Sequence, residues 1–263
     1  MNFIDAIFLG VLQGATEFLP VSSSGHLVLA QHLLGDFEQP GVLFDVLLHV
    51  GTMVAVAVYF WKELRDLLSS PWRKDLKAQA DRRMLGLLLI ASIPTAAIGL
   101  LFKNLFAQIF EQPVIVCLML MVTGTLLVIG ERYRSNLRKQ EQMNIYDALI
   151  VGTVQGFAII PGISRSGSTI AVLLFRNIDG ETAARFSFLM AMPAVFGAAL
   201  LSMKDIQQVP AQQLPIYLAG TGMALFVGFF CIHLIMGVIR RRRLGLFAIY
   251  CWLAGSIGFA YFI

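Results

Sequence analysis

Apolar residues form long blocks along this chain, and the length of each block predicts how it meets a lipid bilayer. A helix needs about 20 mostly apolar residues to cross the hydrocarbon core. Six blocks are long enough, the fourth being short, and we interpret them as transmembrane helices. They cover residues 44–61, 84–102, 114–130, 186–201, 216–239 and 246–262.

Two further apolar stretches, 3–34 and 148–175, are interrupted halfway by Pro, Gly and Ser. Each interruption leaves two pieces that are too short to cross a bilayer. Because irregular backbone at membrane depth is tolerated only inside protein or beside a cavity, we predict two re-entrant helix-loop-helix hairpins. The fold class is therefore an all-α polytopic membrane protein with six transmembrane helices and two hairpins, in a single integral membrane domain over residues 1–263.

Composition agrees with a membrane protein and excludes other classes. Of the 263 residues, 57% are hydrophobic and 14% are charged, against about 45–50% and about 25% in soluble domains. These values exclude a soluble enzyme, a secreted disulfide scaffold and a disordered tail. The three cysteines each lie in an apolar run, where they are typical of small hydrophobic residues.

The distribution of Lys and Arg predicts the orientation, because basic loops are retained on the cytoplasmic side. Loops 62–83, 131–147 and 240–243 carry seven, four and four basic residues, so we place them in the cytoplasm. Loops 103–113 and 202–215 carry one Lys each, so we place them outside. The first hairpin then enters from outside and the second from the cytoplasm. The net charge of +4 reflects this distribution and does not indicate a nucleic-acid partner.

A repeat at an offset of 142 residues relates the two hairpins. Between residues 2–25 and 144–167, nine of 24 aligned positions are identical without a gap. We divide the chain into repeats of about 1–130 and 143–263, each with a hairpin and three spans, which makes the second copy inverted. Paired broken segments in inverted repeats point to a binding site near the membrane midplane. The alternative is that the hairpins only pack, with Gly and Ser allowing close approach.

The first hairpin carries a carboxylate at membrane depth. Gln13 and Glu17 are four residues apart and share a helix face. A buried carboxylate costs several kcal/mol unless it is solvated or paired, so Glu17 is a candidate functional residue. The alternative is a hydrogen bond that ties the hairpin to a neighbouring helix. Asp45 and His49, one turn apart in the first span, either extend a polar entrance or bond to each other.

The second hairpin carries Arg165, which is the only basic residue that the predicted topology leaves within the membrane. A guanidinium there needs an anion. Glu17 could supply it as a buried ion pair, or a phosphate group could, because the planar fork of Arg suits phosphate. The repeat places Ser23 opposite Arg165 and Glu17 opposite Ile159, so the chemically distinctive groups lie where the copies differ.

Two strings of residues carry a family resemblance. Glu17-Phe-Leu-Pro-Val-Ser-Ser-Ser-Gly-His26 and Pro161-Gly-Ile-Ser-Arg-Ser-Gly167 resemble the undecaprenyl-diphosphate phosphatase family, also called the bacitracin-resistance proteins. The resemblance implies a phosphoric anhydride hydrolase that converts undecaprenyl diphosphate to undecaprenyl phosphate and inorganic phosphate. This reaction recycles the lipid carrier for peptidoglycan synthesis and confers bacitracin resistance. The resemblance also implies a multi-pass inner-membrane protein with a periplasmic site and a divalent cation, Mg²⁺ or Ca²⁺.

The family motifs give two sets of candidate site residues in this chain. The candidate catalytic residues are Glu17, Ser23, His26 and Arg165, with Glu17 also as metal ligand. The candidate substrate-binding residues are Gln13, Ser22, Ser24, Gly25, Ser164, Ser166 and Gly167. Many family members have Glu at the position of Gln13, so a mechanism that requires two carboxylates does not suit this chain.

Three routes of attack on the phosphate stay open. Ser23 could be the nucleophile with Glu17 or His26 as base, His26 could attack through a phosphohistidine, or Glu17 could deprotonate a water. We favour Ser23 because its position mirrors that of Arg165.

The alternative function is an ion-coupled transporter or a flippase of a lipid phosphate, because such proteins also combine inverted repeats, broken helices and intramembrane carboxylates. The expected partners are the undecaprenyl diphosphate substrate and membrane lipid. A homo-oligomer is left open.

Overall fold

A computed structural model describes residues 1–34, 43–133, 137–202, 209–241 and 243–263. In this part of the chain the structure is helical, with two short 3-10 turns and one isolated β-bridge between Arg138 and Ile178. The α-helices are α1 (Phe3–Phe18), α2 (Ser23–Leu33), α3 (Leu43–Tyr59), α4 (Trp61–Ser69), α5 (Leu76–Leu101), α6 (Lys103–Phe110), α7 (Pro113–Arg132), α8 (Ile145–Phe157), α9 (Arg165–Phe175), α10 (Gly180–Ser202), α11 (Leu214–Arg240) and α12 (Gly245–Phe262).

All six predicted transmembrane blocks are helical, which confirms the predicted fold class. They correspond to α3, α5, α7, α10, α11 and α12. The last five are each long and apolar enough to cross a bilayer. Helix α3 has 17 residues, and the chain bends by 80° between it and the segment that begins with α4.

The sequence pattern misplaced some boundaries. Helix α5 begins at Leu76 rather than at 84, and α10 begins at Gly180 rather than at 186. Both helices start among polar residues that a hydrophobic pattern does not include, and the side chain of Asp75 caps α5. Helices α4 and α6 lie in segments that we predicted as loops. Parts of the predicted loops 131–147, 202–215 and 240–243 lie outside the described residues.

Both interrupted stretches form two short helices around a break, as predicted. The first break separates α1 from α2 and contains Pro20, and the second separates α8 from α9 and contains Pro161 and Gly162. Proline has no N–H to continue a helix, and Gly162 has a φ of +94° that a side chain would hinder. Ser22 has a φ of +69° although it carries a Cβ. The first tip therefore stores local backbone strain.

Equivalent residues begin the two hairpins. Asn2 caps α1 in a capping box with Asp5, and Asn144 caps α8 in a capping box with Asp147. Each box satisfies N–H groups that a helix start would otherwise leave without a partner. Asp147 is fully buried and also binds two arginines, at 2.6 and 2.9 Å. These arginines are Arg138 and Arg176.

The two halves of the chain interlock. Helix α1 packs along α11, and α8 packs along α5, so each hairpin lies against the second long helix of the other half. Gly10 in α1 faces the backbone of Gly220, and Gly152 in α8 faces the backbone of Ala91. A larger residue at either glycine would overlap the facing helix. The element order of the halves matches the sequence repeat, while inversion of the second half across a membrane stays a prediction.

Candidate active site

The two hairpin tips are in direct contact. The Ser22 hydroxyl donates to the carbonyl of Ile163 at 3.3 Å, and the Ser166 hydroxyl donates to the carbonyl of Leu19 at 3.3 Å. Each tip therefore supplies a serine that bonds to the backbone of the other tip. This reciprocal pairing brings the N-terminal ends of α2 and α9 to one place.

Two glycines allow the tips to approach. The N–H groups of Gly25 and Gly167 donate to the hydroxyls of the capping residues Ser22 and Ser164, at 3.2 and 3.0 Å. A Cβ on Gly25 would lie 2.9 Å from the Cα of Gly162. These predicted substrate-binding residues thus shape the helix starts.

The remaining predicted substrate-binding serines repeat the same arrangement. The Ser24 hydroxyl lies 3.4 Å from that of Ser22, and the Ser166 hydroxyl lies 3.3 Å from that of Ser164. Both pairs lie in the first turn of their helix, where the first N–H groups have no carbonyl partner within the helix. Such helix starts suit an anion.

Glu17 lies at the centre of the site. It is 5% exposed, and three side chains donate to its carboxylate. Gln13 Nε2 donates to Oε2 at 2.8 Å, the Ser23 hydroxyl donates to the same oxygen at 2.5 Å, and Arg165 Nη2 donates to Oε1. A buried carboxylate is tolerated when charge and hydrogen bonds compensate it in this way. The structure brings together four of the predicted site residues around one carboxylate.

Of the two anions predicted for Arg165, Glu17 and a phosphate group, Glu17 is bound in this structure. The Arg165 guanidinium forms an ion pair with Glu17 through Nη2. Within the described part of the chain, its Nη1 is buried and has no hydrogen-bond partner. Since a buried donor without a partner is costly, Nη1 offers a binding position for a second anion.

Ser23 and Arg165 occupy equivalent positions, as the repeat predicts. Ser23 is the first residue of α2, and Arg165 is the first residue of α9. Because the tips meet, the hydroxyl of one and the guanidinium of the other contact the same carboxylate.

His26 faces away from this cluster. Its Nδ1 lies 2.7 Å from the carbonyl of Ser22, which can only accept, so Nδ1 carries the proton. Its Nε2 lies 2.7 Å from the hydroxyl of Tyr250 in α12, and the two rings stack with an interplanar angle of 9°. Both ring nitrogens thus bond to groups other than Glu17. Sequence proximity to Ser23 did not reveal this orientation.

His49 belongs to the site, although it is not among the candidate residues that the family motifs give. Its Nε2 lies 3.5 Å from Glu17 Oε2, and its Nδ1 lies 2.8 Å from the carbonyl of Asp45. The Asp45 carboxylate instead accepts from Gln31 at 2.7 Å. A histidine in an apolar span was the available signal, but only the packing of α3 against α1 shows where it points.

Thr123 in α7 is a second residue that sequence reasoning missed. Its hydroxyl donates to the carbonyl of Gly162 at 2.8 Å and accepts from the N–H of Ser164 at 2.9 Å. It therefore holds the backbone of the second tip. A threonine in an apolar helix gives no sequence signal for this long-range contact.

The donor set around Glu17 fits a cation that takes part of its shell from a bound phosphate. The described residues contain no group of three or more His, Cys, Asp or Glu that could hold a metal by themselves. Gln13 Oε1 is buried and has no hydrogen-bond partner among the described residues. Together with the Glu17 carboxylate it supplies oxygen ligands, which Mg²⁺ and Ca²⁺ prefer. Mg²⁺ is commonly held by one or two carboxylates and by substrate phosphates.

Comparison of the whole chain with known protein families gives a family match. Residues 6–257 match the family described as bacitracin resistance protein BacA. The chain belongs to the bacitracin resistance protein family. Both hairpin tips and all the helices that hold them lie within or overlap the matched region.

Individual members of the bacitracin resistance protein family match over almost the full chain. The undecaprenyl-diphosphatase of Syntrophotalea carbinolica is 57% identical over 99% of both chains. The undecaprenyl-diphosphatase of Desulforapulum autotrophicum is 43% identical over 98% of this chain and 97% of its own. The undecaprenyl-diphosphatase of Halothermothrix orenii is 43% identical over 97% of this chain and 96% of its own.

The ion pair between Glu17 and Arg165 predicts strong coupling between the two residues. We expect Glu17→Gln and Arg165→Met each to lower the free energy of unfolding by about 3–5 kcal/mol, because each leaves one buried charge without a partner. The double variant should lose less than the sum of the two. Unfolding of the purified protein in mixed detergent micelles measures all four members of the cycle.

The exposed pair of Glu181 and Arg240, 3.3 Å apart, provides the matched control. The same cycle there should give a coupling of about 1 kcal/mol or less. Additive losses at Glu17 and Arg165 would contradict the ion pair.

Proposed function

We propose that this protein hydrolyses undecaprenyl diphosphate to undecaprenyl phosphate and inorganic phosphate. Membership of the bacitracin resistance protein family and the names of its relatives support the substrate. The observation that carries the reaction is the Ser23 hydroxyl 2.5 Å from a Glu17 carboxylate whose other oxygen binds Arg165. A nucleophile, an adjacent base and a cation for phosphate oxygens are what phosphoryl transfer requires.

Arg165 binds the substrate first in this mechanism. Its buried Nη1 has no partner among the described residues, Arg165 itself begins α9, and α2 begins at the tip that contacts this one. A diphosphate that arrives there attracts the guanidinium away from Glu17, because a fork of donors binds phosphate well. Glu17 loses its charge partner and becomes a stronger base. Substrate binding and activation of the base are therefore one event.

Ser23 then attacks the terminal phosphorus. A bond forms between its Oγ and that phosphorus, the anhydride P–O bond breaks, and undecaprenyl phosphate leaves while the Ser23 proton passes to Glu17. Water next attacks the phosphoserine, the bond between phosphorus and the Ser23 oxygen breaks, and one proton of that water passes to the Ser23 oxygen as inorganic phosphate departs. Glu17 returns its proton to water. Attack by Ser23 is preferred over attack by His26, since both nitrogens of His26 are bonded elsewhere.

The nucleophile can be tested by replacing Ser23. We expect Ser23→Ala to lower kcat at least about a thousandfold, because no hydroxyl remains beside Glu17. Phosphate release from undecaprenyl diphosphate in detergent measures the rate, and acid quenching followed by mass mapping should locate phosphate on Ser23 of the wild type.

The matched control is Ser92→Ala in α5, where the hydroxyl donates to the carbonyl of Leu88. This variant should keep wild-type activity. Phosphate trapped on His26, or a Ser23→Ala variant with wild-type rate, would contradict the mechanism. A wild type that releases no phosphate with any divalent cation would favour lipid-phosphate transport instead.

A divalent cation, Mg²⁺ or Ca²⁺, is the proposed cofactor, with Glu17 and the Oε1 of Gln13 as its protein ligands. Bound there, it would neutralise charge on the diphosphate oxygens. Support comes from the buried Oε1 without a partner and from the oxygen chemistry of the two side chains.

Removal of the cation by a chelator should abolish phosphate release, and Mg²⁺ or Ca²⁺ should restore it. We expect Gln13→Glu to lower the half-saturating cation concentration, because it adds a carboxylate, and Gln13→Leu to raise it about tenfold or more. Titration of activity with each cation measures both shifts. Equal half-saturating concentrations in the three proteins would remove Gln13 from the proposed ligand set.

The site is proposed to face the periplasm across a bacterial inner membrane. The charge pattern supports this orientation. It places the loops rich in Lys and Arg in the cytoplasm, so that the first hairpin, which carries Glu17 and Ser23, enters from the periplasmic side. We expect a single cysteine placed in α6, for example Gln108→Cys, to react in intact cells with a thiol reagent that does not cross membranes. Lys139→Cys should react only after the cells are opened. The reverse pattern would contradict the orientation.

A further inference from the structure

The second helices of the two hairpins differ in how deeply they are buried. In α9, eight of 11 residues are buried, and in the equivalent α2 only four of 11 are buried. The repeat alone predicts equal burial, since these helices begin with matching caps. The difference means that α2 lies at the outer surface of the helix bundle and α9 lies inside it.

Helix α7 packs tightly against α9. Gly130 of α7 faces Ala171 of α9, and a Cβ on Gly130 would lie 2.6 Å from the Cα of Ala171. No chain or lipid can pass between helices whose backbones are this close. The second hairpin is therefore sealed on the side of α7.

The corresponding neighbour of α2 is α12, the third long helix of the other half, and here the backbones do not pack closely over their described lengths. Leu29 occupies the position that the repeat assigns to Ala171. Side chains join the two helices at two points, with Leu29 between them, and we call this region the α2–α12 seam. His26 bonds to Tyr250 and His32 contacts Phe262. The Cδ1 of Leu29 lies 3.9 Å from where a Cβ on Gly258 would be.

The outer surface beside this seam is apolar, as a surface in contact with lipid should be. In α12, Leu253 and Ile257 are 58% and 69% exposed, and in α2 Leu33 is 62% exposed. A hydroxyl and an imidazole interrupt this surface, since Tyr250 is 45% exposed and His26 is partly exposed. Polar groups that face lipid are costly, and here His26 lies within one helical turn of Ser23 in α2 and bonds to Tyr250 of α12.

We infer that the polyprenyl diphosphate reaches Ser23 laterally from the bilayer through the α2–α12 seam, and that Tyr250 positions His26 at the inner end of this seam. The inference rests on the proposed function. The prenyl chain lies along the apolar outer surface, while the diphosphate passes between His26 and Tyr250. The seam suits such a substrate because His26, at its inner end, lies three residues after Ser23 in α2, and because side chains, rather than packed backbones, close it.

Tyr250 controls the orientation of His26 in the resting seam. Since Nδ1 of His26 donates to the carbonyl of Ser22, its Nε2 can only accept, and it accepts from the Tyr250 hydroxyl. A phosphate that enters the seam accepts from the Tyr250 hydroxyl in place of His26 Nε2, which opens the contact between the two side chains. Tyr250 is thus a positioning residue, and Leu29 sets the width of the seam.

Steady-state kinetics of the purified full chain with undecaprenyl diphosphate test both the entry route through the seam and the role of Tyr250. We expect Leu29→Trp, which fills the seam, to raise KM about tenfold with kcat within about twofold. We expect Tyr250→Phe, which keeps the stacked ring and removes the hydroxyl that donates to the entering phosphate, to raise KM about fivefold or more with little change in kcat. Thermal unfolding midpoints close to that of the wild type exclude a general loss of fold as the cause.

Two matched controls lie on the same helix. Ile249→Trp places the same bulk on a lipid-exposed position whose side chain points about 100° away from Tyr250 around the helix. Tyr261→Phe removes a hydroxyl from a tyrosine whose ring contacts Phe262. Both should keep the wild-type KM and kcat. An unchanged KM in Leu29→Trp, or equal effects of Leu29→Trp and Ile249→Trp, would overturn the seam.

Photolabelling gives a readout that does not depend on turnover. A prenyl diphosphate with a diazirine next to the diphosphate should label residues of α2 and α12, and unlabelled undecaprenyl diphosphate should compete. Label confined to α7 and α9 would overturn the inference. If the wild type released no phosphate but the seam were labelled, the proposed function would fail and the seam would stand. If the wild type released phosphate but the label lay outside α2 and α12, the seam would fail and the proposed function would stand.

Discussion

The arrangement of this protein depends on the need to neutralise two charges inside an apolar bundle. Glu17 and Arg165 come from different hairpins, and each would be costly in the membrane without the other. Their contact fixes how the two tips meet and aligns the Ser23 hydroxyl on the carboxylate. In the proposed mechanism Arg165 exchanges this contact for a phosphate, because guanidinium binds both anions through one fork of donors. A structural requirement of the resting state thus prepares the chemical step.

A symmetric scaffold supports an asymmetric site. The matching residues Ser22 and Ser164 cap helices, and Ser22 and Ser166 join the tips through reciprocal hydrogen bonds. In the proposed mechanism the residues that differ provide the chemistry: Ser23 stands opposite Arg165, and Glu17 stands opposite Ile159. The two repeats therefore give two helix starts that meet, and divergence at a few positions placed a serine hydroxyl on one and a guanidinium on the other.

Sequence patterns predicted the six spans, the two hairpins and the contact of Glu17 with Arg165 as one of two alternatives, because these follow from hydrophobicity and from the cost of buried charge. The patterns missed the polar starts of α5 and α10, which hydrophobicity does not include. They also missed His49 at Glu17 and the turn of His26 toward Tyr250. Such contacts depend on rotamers and on the packing of distant helices, neither of which a local pattern contains.

The interlocking of the halves has a consequence for synthesis of the chain. Helix α1 packs along α11, which begins about 200 residues after α1 ends. At roughly 5–20 residues per second, the first hairpin waits about 10–40 s for its packing partner to be translated. During that interval the Glu17 carboxylate also lacks Arg165, which lies 148 residues further along. The first hairpin thus inserts next to the membrane machinery as an incomplete structure, and the last third of the chain completes the fold of the first.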